Sequence, residues 1–298
     1  MPLTRPRFLF RDDLFAARPH RIAAVRFAGL WCAGSCAGLE RPTVAVVGAR
    51  APSAGGVQRA RHLAEGLARA GVCVVSGLAL GIDGAAHAGA LAGGGATIGV
   101  LGGGHRQFFP KRNSDLAEQI VSAGGAVLSP YAPDEPARPA QFIQRNGVVA
   151  ALADAVVVVE AAERSGALNT ASWAANLGID VLAFPGDVDR PIAAGCNALI
   201  RDGATLVRDA ADVLEVLGIA AVDAAPSGSG RADGSSIASA FDAALVDELR
   251  AGPRSIDDLV EALGAQPGDV LASSMALEIS GVLERRDGST FALAPKRR

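Results

Sequence analysis

Val44-Ala45-Val46-Val47 runs into Gly48-Ala49-Arg50, and Val72-Cys73-Val74-Val75 runs into Ser76-Gly77-Leu78-Ala79-Leu80-Gly81-Ile82-Asp83. The pattern returns twice more. Thr97-Ile98-Gly99-Val100-Leu101 stops at Gly102-Gly103-Gly104, and Val156-Val157-Val158-Val159 stops at Glu160, ahead of Ser165-Gly166-Ala167-Leu168-Asn169-Thr170-Ala171. Each run is short, continuous and apolar, as a strand covered on both faces must be, and a helical pattern follows. Strands of this kind alternating with helices predict a doubly wound α/β sheet. Such sheets bind ligands at the carboxyl ends of their strands. Here those ends carry glycines, hydroxyls and an arginine, which is phosphate-binding chemistry.

Working outward, helical patterns fall at about 57–70, 84–93, 113–123, 167–178, 195–202 and 210–217, with further strands at 126–129, 181–184 and 204–207. Gly71, Gly124, Gly178 and Gly203 stand where C-terminal helix caps belong. Residues 1–40 are Arg-rich, carry Phe8, Phe10, Phe15, Phe27 and Trp31, and lack a clean period; they read as a preamble packed on the first strand. The α/β core then covers 41–218. Residues 219–236 turn to Ala, Pro, Gly, Ser and Asp and read as a flexible tether. Beyond it lie helical patterns near 239–251, 255–263 and 267–280. Two short apolar runs flanking Asp287-Gly288-Ser289 then signal a β-hairpin. Three helices and a hairpin in so short a span predict a winged-helix module at 237–298.

Aromatic residues are only 4% of the 298, so the core must be built from Ala, Val, Leu and Ile. The Ala excess and the near-absence of lysine (Lys111 and Lys296 alone) read as coding drift. The net charge of −3 excludes a histone-like coating of nucleic acid, so any polyanion must meet a local patch. From Ala240 onward ten acidic and seven basic residues leave the tail acidic and the larger part neutral. Four cysteines in such a chain do not make a disulfide framework. Cys32 and Cys36 have no second Cys/His pair at zinc-like spacing, and unpaired thiols are the better reading. Neither a signal peptide nor a membrane-length apolar run is evident, so a reducing cytoplasm is the expected location.

At the first strand end, the helix start near Val57, the Ser53 hydroxyl and the Arg50 guanidinium could converge on one phosphate; the alternative is a Gly-rich turn with a surface ion pair. The turn lacks Gly-x-Gly-x-x-Gly, and no Gly-Lys-Ser/Thr occurs, so NAD and ATP chemistry lose support and no cofactor is expected. Ser76 and Gly77 offer a donor and close backbone approach. Asp83 sits where a helix N-cap belongs, and a Ser76/Asp83/His87 hydrolase set lacks a nucleophile elbow. Gly102 to Asn113 interleaves the cations Arg106, Lys111 and Arg112 with Phe108 and Phe109. That mixture suits a single strand, a lid over a small nucleotide, or a loop with buried rings. Phe142 and Arg145, three apart, would share one helical face; Phe142 as core is the alternative. Ser165, Gly166 and Thr170 open another helix at a strand end, a second hydroxyl-and-amide anion site.

Taken in order, these segments resemble the DNA-processing protein A family, also called DprA or Smf. The turn at Gly48 is similar to its Val-Gly-Ser-Arg motif, and Ser76 to Asp83 to its Ser-Gly-x-Ala-x-Gly-Ile-Asp. Gly104 to Asn113 resembles its Gly-x-x-x-x-Tyr-Pro-x-x-Asn stretch, and Phe142-Ile143-Gln144-Arg145-Asn146 its Phe-x-x-Arg-Asn-Arg box. Ser165 to Ala171 and Pro185 to Ala204 are similar to its last two blocks. The resemblance covers about Gly29 to Leu217, and the tail fits the winged helix that many members carry.

The resemblance implies an extended Rossmann-like domain that binds single-stranded DNA without hydrolysing it. It further implies a homodimer that loads a RecA-type recombinase in natural transformation. Arg50, Lys111, Phe142, Arg145 and Asn146, with the Ser76-Gly77 and Ser165-Gly166 turns, would line the strand-binding pocket. The chain departs from the pattern at Gly147, where the box has its second arginine, at Gly55, which replaces a usual tyrosine, and at Phe109, which stands for the tyrosine before Pro110. Losing that second cation would weaken DNA binding and flatten its salt dependence. The 267–280 helix carries Asp269 and Glu278 and no Lys or Arg, and only Arg285-Arg286 and the terminal Lys296-Arg297-Arg298 help, which predicts a protein-contact or accessory module, or at most a weak duplex binder. The rival reading is a nucleoside-monophosphate phosphoribohydrolase of the lysine-decarboxylase-like group. Its Pro-Gly-Gly-x-Gly-Thr turn reads Ser-Gly-Ala-Leu-Asn-Thr here, with Glu160 and Glu163 the nearby acids.

Overall fold

Successive valines on a strand point to opposite sides of a sheet, and in the computed structural model of the chain both sides are covered. The structure describes residues 3, 5–15, 21, 27–219, 240–279, 281–287 and 290–294. The elements of the first unit, in chain order, are β1 (Arg7–Phe10), α1 (Arg11–Leu14), β2 (Gly29–Gly34), β3 (Thr43–Val47), α2 (Ala54–Arg69), β4 (Cys73–Ser76), α3 (Ile82–Ala92) and β5 (Thr97–Val100). They continue with α4 (Ser114–Ser122), β6 (Ala126–Ser129), α5 (Pro139–Leu152), β7 (Ala155–Val158), α6 (Gly166–Asn176), β8 (Asp180–Ala183), α7 (Ala194–Arg201), β9 (Thr205–Leu206) and α8 (Ala210–Val216).

The strands form one sheet in the order β1-β2-β6-β5-β4-β3-β7-β8-β9. From β6 to β9 all neighbours are parallel. Val44, Val46, Val74 and Val157 pack with α2, α3 and α8 on one face; Ala45, Val47, Val75, Val156 and Val158 pack with α5 and α6 on the other. This is the predicted doubly wound sheet. The chain builds outward from β3 through β4 and β5 to β6, then returns to β7 on β3's other side, so the strand order reverses between β3 and β7. A crevice opens where two such connections diverge.

Two expectations need correction. Residues 29–34 are not part of a preamble on the first strand: β2 pairs antiparallel with β6 and carries β1 outside it. The helix over 139–152, absent from the sequence-derived helices, begins at a proline suited to a first turn and bears Gly147 at its centre. The Ala and Gly excess also has a packing role beyond coding drift. A Cβ at Gly89 of α3 would lie 2.2 Å from the Arg61 carbonyl oxygen of α2, so the two helices touch backbone to backbone. Gly71, Gly124, Gly178 and Gly203 all have positive φ just past helix ends, as expected.

The second unit begins at Ala225 by the division of contacts, inside the 219–236 segment read as a tether, of which 220–236 lie outside the described residues. It comprises α9 (Ala240–Glu248), β10 (Arg254–Ser255), α10 (Ile256–Leu263), α11 (Pro267–Ile279), β11 (Leu283–Asp287) and β12 (Thr290–Leu293), with a sheet ordered β10-β12-β11. Leu245, Leu249, Leu259, Val270, Leu277, Leu283 and Phe291 form its core. The tip residues Gly288 and Ser289 lie outside the described residues. Among the described residues no helix is long and apolar enough to cross a membrane.

Under the sheet, Thr97 Oγ1 donates to the Val74 carbonyl at 2.8 Å and sits 2.7 Å from His87 Nδ1, so Nδ1 carries the ring proton. Nε2 is buried without a partner. Burial, with the Arg145 cation adding to it, drops the His87 pKa to about 3. Between pH 6.5 and that value the unfolded chain takes up a proton that the folded chain refuses, so stability falls as pH falls, by up to about 1.4 kcal/mol per pH unit. His87→Gln should remove that slope. Urea midpoints of both proteins at pH 7 and pH 5 check it, and parallel pH profiles would refute it.

Candidate nucleic-acid interface

The turns after β3, β4 and β7 converge with α5 on a cleft of about 350 Å³ at the point where the strand order reverses. Its walls include Gly48 and Arg50 from the first turn, Gly77 and Asp83 from the second, Arg145 and Asn146 from α5, and Ser165, Gly166 and Thr170 from the start of α6.

Arg145 organises it. Its Nη1 donates to the Gly77 carbonyl and, at 2.5 Å, to the Val100 carbonyl, joining the ends of β4 and β5. The side chain is buried and its Nε has no acceptor. Burial pushes the Arg145 pKa down, opposed by the Asp83 carboxylate. Burial pushes the Asp83 carboxyl up, opposed first by Arg145 and then by the N–H groups of Ala79 and Gly77. A Cβ at Gly77 would stand 2.2 Å from Arg145 Nη1, so glycine is needed there for the guanidinium to reach the carbonyls.

Asp83 is not the N-cap of its helix. α3 starts at Ile82, and Asp83 Oδ2 accepts from the backbone of Gly77 at 3.1 Å and Ala79 at 3.3 Å. It closes the turn that precedes its own helix and holds Leu78 at φ +54. Asn113 supports the same turn by donating to the carbonyls of Leu78 and Ala79. Sequence reasoning gave neither residue this role: Asp83 bonds back four and six residues where a cap was expected, and Asn113 acts on backbone that only the fold brings near.

Of the residues read as candidates, Arg50 and Arg145 line the cleft, and Phe142, which is not on its wall, packs against both. The Arg50 and Arg145 guanidinium carbons lie 5.3 Å and 6.0 Å from the Phe142 ring centre. Phe109, which is 55% exposed, meets the Phe142 edge at 6.0 Å between centres. Asn146 donates to the Gly166 carbonyl and Asn169 Oδ1, tying α5 to the start of α6. Ser165 caps α6 through the Ala167 N–H, and the space beside Gly166 is open. Thr170 lines the cleft floor.

Three candidates are placed elsewhere. Ser76 is fully buried and its hydroxyl donates to the Val46 carbonyl, joining β4 to β3. Lys111 is exposed and does not line the cleft. Ser53 caps α2, accepting from Gly56 at 3.0 Å, but its hydroxyl donates to Glu160 Oε1 at 2.5 Å and its N–H to Glu160 Oε2 at 2.8 Å. Arg59 pairs with the same carboxylate at 2.7 Å. The start of α2, read as a phosphate site, therefore already holds the protein's own anion. Glu160, weighed as a hydrolase acid, is spent on this contact and is absent from the cleft wall. Gly147 is buried, and a Cβ there would press on the Trp173 indole at 3.2 Å, so an arginine at 147 would require Trp173 to move. Neither Arg138 nor Arg164 lines the cleft in its stead.

Residues 8–218 match the family model for DNA recombination-mediator protein A, and 231–289 match the DprA winged helix domain. The chain belongs to the DNA recombination-mediator protein A family. A putative DNA processing protein DprA of Mycobacterium tuberculosis is 42% identical over 251 residues, which cover 82% of this chain and 62% of that protein. Protein Smf of Escherichia coli is 36% identical over 270 residues, covering 88% and 71%. Among solved structures, DprA from Streptococcus pneumoniae superposes with a TM-score of 0.65 at 37% identity, covering 72% of this chain and 75% of that one. DNA processing protein A from Helicobacter pylori, described for its single-stranded DNA binding mode, gives 0.61 at 27% identity, covering 73% and 98%.

The family's winged helix carries little unpaired positive charge here. Each arginine among its described residues has an acidic neighbour: Arg250 with Asp247, Arg254 with Glu248, Arg285 with Glu278 and Arg286 with Glu284, at 3.0 to 3.4 Å. Exposed Leu271 and Met275 lie one turn apart on α11. Terminal Lys296, Arg297 and Arg298 lie outside the described residues. Among the described residues this surface lacks the free cations that duplex phosphates require. The isolated 237–298 fragment should give no electrophoretic shift of duplex DNA at physiological salt, and a tight shift there would contradict this.

Proposed function

We propose that the cleft grips single-stranded DNA without cleaving it. In this reading the protein protects incoming strands and passes them to a RecA-type recombinase, acting as a homodimer in the cytoplasm during natural transformation. One observation carries the DNA reading: the Arg145 guanidinium, the open start of α6 and an arginine stacked on the Phe142 ring gather at one cleft. A phosphate suits the first two groups, and a base suits the ring. Family membership and the Helicobacter pylori protein's described binding mode support the same ligand. The rival phosphoribohydrolase reading loses support, because Glu160 is held by Ser53 and Arg59, and neither Glu160 nor Glu163 lines the cleft.

A titration of labelled oligo-dT tests the proposal. Arg50→Ala should weaken binding about tenfold and lower the slope of log affinity against log salt by about 0.7, with thermal stability unchanged. Phe142→Ala should weaken it by roughly 5- to 100-fold through lost stacking, at a similar salt slope. Arg145→Ala should lose both binding and stability, because the Gly77 and Val100 carbonyls lose their donor. Wild-type affinity in both Arg50→Ala and Phe142→Ala would overturn the assignment of the cleft.

A further inference from the structure

On the other side of the sheet's ends, two thiols meet. Cys32 lies on β2; Gly34, at φ +98, turns the chain, and Cys36 precedes a short 3₁₀ turn at Ala37–Glu40. The Cys32 and Cys36 Sγ atoms are 3.3 Å apart, in hydrogen-bond contact and unbonded covalently. Cys32 is 1% exposed and Cys36 partly exposed. Cys32 lies opposite Arg7 of β1 in register. We propose that Cys32 and Cys36 are a dithiol modification site, oxidised to an intramolecular disulfide by small-molecule disulfides.

The hydrogen bond from Cys36, with the Arg7 cation adding to it, lowers the Cys32 pKa against the opposing effect of burial. The same contact and burial raise Cys36. The pair thus holds one proton more tightly than two separate thiols would, with negative charge favoured at the buried sulfur. Proton exchange along the S–H···S contact transfers that charge to the accessible Cys36. The Cys36 thiolate attacks R–S–S–R, the S–S bond breaks, and R–S⁻ leaves and takes a proton. The Cys32 thiolate then attacks Cys36 Sγ and expels the second R–S⁻, which is protonated in turn. The two cysteine sulfurs together lose two electrons, and one R–S–S–R becomes two R–SH. Closing the bond needs the sulfurs to approach to about 2 Å, a side-chain rotation rather than a rearrangement of the sheet.

The third nearby thiol does not compete. Cys73 is fully buried beneath Gly38, where a Cβ would stand 2.8 Å from its sulfur. The pair also lies away from the cleft. β2 runs antiparallel to β6, and Gly34 at its end opposes Ala126, the first residue of β6, whereas the cleft lies at the last residues of the parallel strands.

The test incubates the folded full-length chain with oxidised glutathione, then denatures, alkylates and digests it with trypsin. Four alkylated cysteines in the reduced protein should fall to two. The 27–50 peptide, which holds Cys32 and Cys36 but not Cys73, should appear unalkylated and lighter by two hydrogens. Cys32→Ser should instead stop with glutathione attached to Cys36, which separates ordered two-step exchange from slow air oxidation. Oligo-dT affinity should be the same before and after oxidation. Full alkylation of all four thiols, glutathione persisting on wild-type Cys36, or a cross-link to the Cys73 peptide would each overturn the proposal.

Discussion

A single buried guanidinium sets the shape of the cleft. Arg145 reaches from α5 across the ends of β4 and β5 and donates to two carbonyls that no strand neighbour can satisfy there. Removing a cation so placed leaves two buried acceptors and the Asp83 carboxylate without their counterpart, a change worth about 3–5 kcal/mol in comparable buried pairs. The constraint spreads to neighbouring residues. Gly77 must lack a Cβ, Leu78 must take a left-handed backbone, and Asp83 must turn back on the loop before its own helix. The Ser-Gly-Leu-Ala-Leu-Gly-Ile-Asp string is thus one device for seating an arginine 62 or more residues away along the chain.

A second carboxylate settles which helix start remains open. Two helices begin at strand ends beside a serine, and by residue type they look alike. At α2 the Ser53 N–H and hydroxyl are taken by Glu160, and a Cβ at Gly56 would collide with that carboxyl group. At α6 the space beside Gly166 is empty. A helix N-terminus attracts one anion, and whichever is covalently attached is present at the highest local concentration. The internal carboxylate therefore fixes the Arg50 turn in place and leaves α6 as the end that can meet a ligand.

The parallel strands were legible because each is a run of valines bounded by glycine or serine, and such runs have one stable arrangement, buried between helices. The glycine ends of the helices were legible for a similarly local reason, since only a residue without Cβ readily takes positive φ. Contacts between distant segments were not legible. Nothing near Ser53 announces that Glu160, on the far side of α5, will cap it, because that depends on β7 returning beside β3. Ser76 has the right type for a ligand donor, yet strand alternation turns it inward to the Val46 carbonyl. β2 was missed because it enters antiparallel from outside the repeating unit, and α5 because a proline and a glycine disguise its period.

The charge balance then has a physical reading. The chain carries three more acids than bases, yet the two acids at the strand ends, Asp83 and Glu160, both face inward toward backbone N–H groups and arginines. Neither projects free negative charge into the cleft as a surface carboxylate would. What lines the opening besides Asp83 is Arg50, Arg145 and the start of α6. Local potential depends on where charges point and how well they are matched, so a chain of net negative charge still presents donors at one rim of its sheet. In the second unit the pairing runs the other way: its described arginines are matched within the unit, and acids such as Asp257, Glu261 and Asp269 have no ion-pair partner among the described residues. Among the described residues the two units therefore differ in how their cations are matched, and the donors left at a strand end lie in the first.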